Sequence, residues 1–108
     1  MKNILILFQN NTEHAKAQLD ILHAAYAFEI PVKLAFCQSG VLLLKPTVEP
    51  SFTAFFKELS IYDIDTCYVE QESLTQYQLT PNDLMCAVTV ISQEELYRLK
   101  GAAHWVVN

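Results

Sequence analysis

Residues 3–37 read NILILFQNNTEHAKAQLDILHAAYAFEIPVKLAFC, and the fold follows from this stretch. Asn3–Phe8 is a continuous apolar run, the signature of a strand buried on both faces. Gln9-Asn10-Asn11-Thr12 supplies residues that cap helix N-termini. From Glu13 to Phe28 the apolar positions Ala15, Leu19, Leu22 and Tyr26, with Ile21, Ala25 and Phe28 beside them, recur at helical spacing. Pro31 stops the helix, and Val32–Cys37 is a second buried strand. Strand, helix, strand predicts a parallel pair joined by a right-handed crossover.

The rest of the chain repeats that alternation. Gln38-Ser39-Gly40 turns into a short apolar segment, Val41–Leu44, closed by Lys45-Pro46. After Pro50, Ser51 is a candidate N-cap, and Phe52, Phe55, Phe56 and Leu59 form a helical stripe that reads as helix-to-sheet core. Thr66–Val69 is a third strand, Glu72–Tyr77 a short helix, and Gln76–Asp83 a loop. Ala87–Ile91 is a fourth strand. Ser92, with Glu95 three residues on, is a capping box, and Gly101 reads as the stop of that last helix. Ala103–Val107 is the fifth strand. The expectation is one α/β domain over 1–108, three-layered, with about five mostly parallel strands flanked by helices.

Composition narrows the function classes. Of 108 residues, 52% are apolar and 18% charged, against about 25% charged in an ordinary domain. A small domain has little interior, so the surplus predicts apolar surface that meets a partner. The net charge of −5 and seven scattered basic residues argue against direct nucleic-acid binding. NILILF is too short for an export leader, and no apolar run is long enough to span a membrane. Three unpatterned cysteines, Cys37, Cys67 and Cys86, fit a reducing cytoplasm. No C-x-x-C or Cys/His ligand spacing occurs, so no metal is expected. The loop after the first strand lacks glycine, which speaks against a phosphate cradle, and no cofactor is expected.

In an open parallel sheet, ligands bind beyond the C-terminal strand ends. Two readings stand for Cys37 there. A helix starting near Ser39 favours a thiolate, whereas a cysteine ending an apolar strand is simply a small hydrophobe. Period-two alternation places Cys67 and Val69 on one face and leaves Glu70 at the exposed end of the third strand. Cys67 therefore reads first as a core thiol and second as a nucleophile. Cys86, ahead of the fourth strand at the opposite edge of the sheet, is the weakest nucleophile candidate. For His23 and His104 a structural or surface role is the first reading, since no catalytic partner is visible in the sequence.

FCQSGVLLL (36–44) and FFKELSIYDIDTCYVEQESL (55–74) resemble the DsrE/DsrF family, and within it the DsrF/TusC branch. The shared patterns are F-x-x-x-G-V at Phe36, Gly40 and Val41, and K-x-L-x-x-Y-D-I-x-x-C-x-V at Lys57, Leu59, Tyr62, Asp63, Ile64, Cys67 and Val69. The resemblance implies a small fold of parallel strands. It also implies assembly with TusB-like and TusD-like (DsrH/DsrE-like) subunits into a dimer of heterotrimers. Such complexes relay persulfide sulfur toward 2-thiolation of a tRNA wobble uridine, or serve sulfur oxidation. The sulfur-carrying cysteine belongs to the DsrE/TusD-like subunit, after the third strand. Glu70 stands at that position here, where several TusC relatives keep the second cysteine of a C-x-x-C. The expectation is a non-catalytic relay subunit. The alternatives are an active sulfurtransferase using Cys67 or Cys37, and a separate interaction domain on the same fold.

Overall fold

The apolar run at the start becomes the first strand, β1 (Ile4–Phe8), and Leu5, Ile6, Leu7 and Phe8 are all buried. The computed structural model describes residues 3–10, 13–46, 50–62, 64 and 66–108, with backbone alone at 50, 51 and 60. Ile6 and Phe8 join one core cluster, and Leu5 and Leu7 the other. That split is the reason the run is continuous rather than alternating: both faces are covered.

Helix α1 (Glu13–Ala27) follows, then β2 (Val32–Phe36), α2 (Pro50–Lys57), β3 (Cys67–Glu70), α3 (Gln71–Gln76), β4 (Thr89–Ile91), α4 (Gln93–Ala102) and β5 (Trp105–Val107). The strands lie in the order β4-β3-β2-β1-β5, and every neighbouring pair is parallel. From β1 to β4 the sheet grows in one direction; β4 to β5 jumps back across it. Right-handed crossovers then force the first connections onto one face and α4 onto the other. The packing agrees. Leu19, Leu22, Phe52, Phe55, Phe56 and Leu74 fill the first face, and Leu96 with Ile91, Ala35 and Cys37 fill the second. The expected three-layer α/β fold with five parallel strands is what forms.

Several boundaries differ from the expectation. β3 starts one residue later, at Cys67, and β4 and β5 are shorter. Asn11 and Thr12, read as caps, lie outside the described residues. α2 begins at Pro50, so Ser51 is inside the helix rather than capping it; proline's fixed φ suits a first helical position. Leu59 leaves α2 for a 3-10 helix, Leu59–Tyr62, yet stays buried. The Ser92–Glu95 capping box forms as read, with the Glu95 N–H donating to Ser92 Oγ at 3.1 Å. Gly101 lies within α4 rather than ending it, because Ala103 makes the extended turn.

With glycine scarce, other residues take the left-handed positions at helix ends. Glu29 has φ 58° and Gln78 φ 56°. Each closes a Schellman motif. Ile30 and Leu79 N–H donate back to the Ala25 and Leu74 carbonyls, each at 2.9 Å. Gln18 of α1 is also buried, and its amide donates to the Leu7 carbonyl at 2.8 Å and the Val107 carbonyl at 3.1 Å. It pins the short edge strand β5 to β1.

Gly40 is where size rather than φ decides. A Cβ there would fall 2.0 Å from the Phe8 carbonyl oxygen, whereas at Gly101 it would meet nothing within 4 Å. Gly40→Ala should therefore lower the urea midpoint by an amount equivalent to at least ~2 kcal/mol, since backbone must move. Gly101→Ala should raise it by about 0.5–1 kcal/mol, as for a helix interior. Equal effects at both sites would contradict the packing described.

Candidate functional site

The C-terminal ends of β1, β2 and β3 converge where ligands meet such sheets. Cys37 follows β2 and is only 4% exposed. Its N–H donates to the Phe8 carbonyl at 3.0 Å, which extends the β1–β2 ladder past the strand. A 3-10 helix, Gln38–Leu44, begins directly after it, and the Gly40 contact with Phe8 lets that helix sit tight on the end of β1. Gln38 takes a left-handed φ of 51° to make the corner. Such a φ costs a non-glycine residue about 1–2 kcal/mol.

Phe36 pairs in register with Val69, so Cys37 and Glu70 are the next residues on adjacent strands. Glu70 was expected at an exposed strand end, and the structure corrects this: it is 9% exposed. The reason is α3, which starts immediately at Gln71 and folds Ser73 back over the carboxylate. Ser73 Oγ donates to Glu70 Oε1 at 2.5 Å and accepts the Gln38 N–H at 2.7 Å. One serine thus ties the strained corner after β2 to the acid at the end of β3. Burial pushes the Cys37 thiol up to about 11, and the Glu70 charge pushes the same way, outweighing Lys100. The helix start near Ser39 does not deliver a thiolate; desolvation wins. At neutral pH this thiol is protonated and a poor nucleophile.

Cys67 lies at the other end of β3, 2% exposed, in the cluster beneath α1 and α2. Alternation had placed it inside, and it is inside. Cys86 stands at the edge away from Cys37, as expected, and Cys67 shares that edge; Cys86 packs against the core cluster to which Cys67 belongs. The β3–β4 register, Tyr68 opposite Thr89, brings the approach to β4 alongside β3. The Met85 N–H donates to the Leu44 carbonyl at 2.7 Å and holds that approach over the first face. A groove of about 540 Å³ also opens near the N-terminal strand ends, lined by Leu22, Tyr26, Ile30, Pro31, Tyr62 and Ile64. His23 packs on Phe55 and Tyr62, a structural role as read. The described residues contain no cluster of three or more His, Cys, Asp or Glu able to hold a metal.

The sequence matches the DsrE/DsrF-like family along residues 2–108. The chain belongs to that family. Its similarity to proteins named TusC homologue is 31% identity over 88 residues for that of Pseudomonas aeruginosa, covering 76% of this chain and 74% of the relative. For that of Vibrio vulnificus strain YJ016 it is 33% over 92 residues, covering 80% and 75%. Two solved structures share the fold with a TM-score of 0.74 each. The ychN protein of E. coli is 15% identical and covers 99% of this chain and 98% of its own. MTH1491 of Methanobacterium thermoautotrophicum, a protein of unknown function, is 14% identical with full coverage of both. In this family member the shared patterns are mainly structural: Phe36, Val41, Leu59, Ile64, Cys67 and Val69 are buried, and Gly40 admits no side chain. Asp63 lies outside the described residues.

Glu70→Gln removes a negative charge beside Cys37 and should move that thiol's ionisation down from about pH 11. It should stay above the ordinary thiol value, because burial is the larger cause. The pH dependence of iodoacetamide alkylation at Cys37 measures this. An unchanged profile would remove Glu70 from the site's electrostatics.

Proposed function

We propose that this protein is a non-catalytic subunit of a sulfur-relay complex. The observation that carries the reading is Glu70. The family resemblance puts a sulfur-carrying cysteine at this strand end in DsrE/TusD-like subunits, and here the position holds a carboxylate engaged by Ser73. A carboxylate cannot accept sulfane sulfur. The neighbouring thiol, Cys37, is protonated at neutral pH, and Cys67 faces the core, so neither supports persulfide carriage in this subunit. Family membership and the likeness to TusC homologues support the relay itself.

The finer reading is a cytoplasmic, single-domain subunit that joins TusB-like and TusD-like partners in a dimer of heterotrimers. Through them it supports 2-thiolation of a tRNA wobble uridine. Its negative charge leaves tRNA contact to other members of the relay. Among the described residues no helix is long and apolar enough to cross a membrane.

Co-expression with TusB-like and TusD-like proteins should yield a stable complex containing all three chains. A persulfide donor offered to that complex should add roughly 32 Da, one sulfur atom, to the TusD-like chain and nothing to this one. A monomer that ignores both partners would sink the proposal, as would an adduct here that Cys37→Ser or Cys67→Ser abolishes.

A further inference from the structure

The first face of the sheet is covered unevenly. α1 meets α2 along one flank, where His23 packs on Phe55 with ring centroids 5.4 Å apart. Its other flank lies toward edge strand β5, where Gln18 donates to the Val107 carbonyl. α4 packs on the second face, so among the described residues no helix continues the layer over β5. Apolar groups collect beside this gap. Ala17, Ile21, Ala24 and Phe28 are all exposed, Ile21 by 41% and Phe28 by 78%. The Phe28 N–H still donates to the Ala24 carbonyl, so the helical register runs through it. At roughly 3.6 residues per turn the four fall in one stripe about 60° wide, turned about 130° away from His23. Trp105, two residues before Val107 and so on the same face of β5, is 48% exposed.

Steps of four, three and four residues along this stripe are the seam spacing of a helix that packs on another helix. The order of sizes says which helix. Ala17 and Phe28 lie equally far from the midpoint between Leu22 and His23, and so do Ile21 and Ala24. An antiparallel copy of the same helix, turned about that midpoint, therefore sets Phe28 over Ala17 and Ile21 over Ala24 at every contact. Each large side chain meets a methyl group, which lets the two helices approach and interdigitate. We propose that α1 is an isologous dimer surface, packed antiparallel on the α1 of a second copy of this chain, with Trp105 flanking the seam. A single helix pair is a small interface, so the dimer forms in the micromolar range, roughly 1–100 μM. The inference concerns this chain alone and is independent of the sulfur-relay reading.

Sedimentation equilibrium of the full-length protein, without partners, should show monomer and dimer and no larger species. Ala24→Ile adds apolar surface but puts a second large group opposite Ile21, and should raise the dissociation constant at least about tenfold. Combining it with Ile21→Ala exchanges large and small across the seam and should return the constant to within about threefold of the wild type. Phe28→Ala, at an exposed position, should weaken the dimer about tenfold as well. Tyr97→Ala, equally exposed but on α4, should leave it unchanged. A protein that stays monomeric up to roughly 500 μM overturns the proposal, since even a weak interface dimerises below that. So do open-ended oligomers, a dimer that Ala24→Ile tightens, or one that Phe28→Ala leaves intact.

Discussion

The handedness of parallel crossovers governs this molecule. Once strand, helix and strand are laid down at residues 4–36, each later connection must turn the same way. Three steps outward from β1 put their connections on one face. The single step back, from β4 to β5, puts α4 on the other. Continuous burial of β1, division of its side chains between two clusters and the meeting of loops at the C-terminal strand ends all follow from that constraint.

The site edge shows what close packing costs and what it excludes. The 3-10 helix after β2 can lie on the end of β1 only because Gly40 has no side chain, and it can turn the corner only because Gln38 accepts a left-handed φ. The Gln38 N–H to Ser73 bond and the Ser73 to Glu70 bond offset that strain. The same compactness removes water from Cys37. Desolvation then favours the protonated thiol, and the adjacent carboxylate adds to it. A tight, acid-bearing edge is therefore a poor place for a thiolate and a good frame for holding neighbouring loops still.

The apolar surplus of the composition is visible at the surface. Phe28 and Tyr97 are 78% and 77% exposed, and Ile61, Trp105 and Val90 are exposed as well. These residues lie on several elements. The three-residue strands β4 and β5 form the two edges of the sheet and leave Val90 and Trp105 exposed there. Such a distribution suits a chain that contacts partners on more than one side, in keeping with a subunit role.

The sequence by itself determined the element types, the parallel sheet and the family. Those rest on hydrophobic period, capping chemistry and short motifs, all of which are local. It also determined that Cys67 is inside, because strand alternation is local too. Tertiary structure decided what the site residues experience. Glu70 is buried because α3 folds back over it, and Cys37 is protonated because it packs in the second-face cluster with Ile91 and with Leu96 of α4, away from water. Cys67 and Cys86 come to one core cluster because inter-strand register aligns segments far apart in the chain. Burial and register are sums over non-local contacts, and no window of sequence contains them.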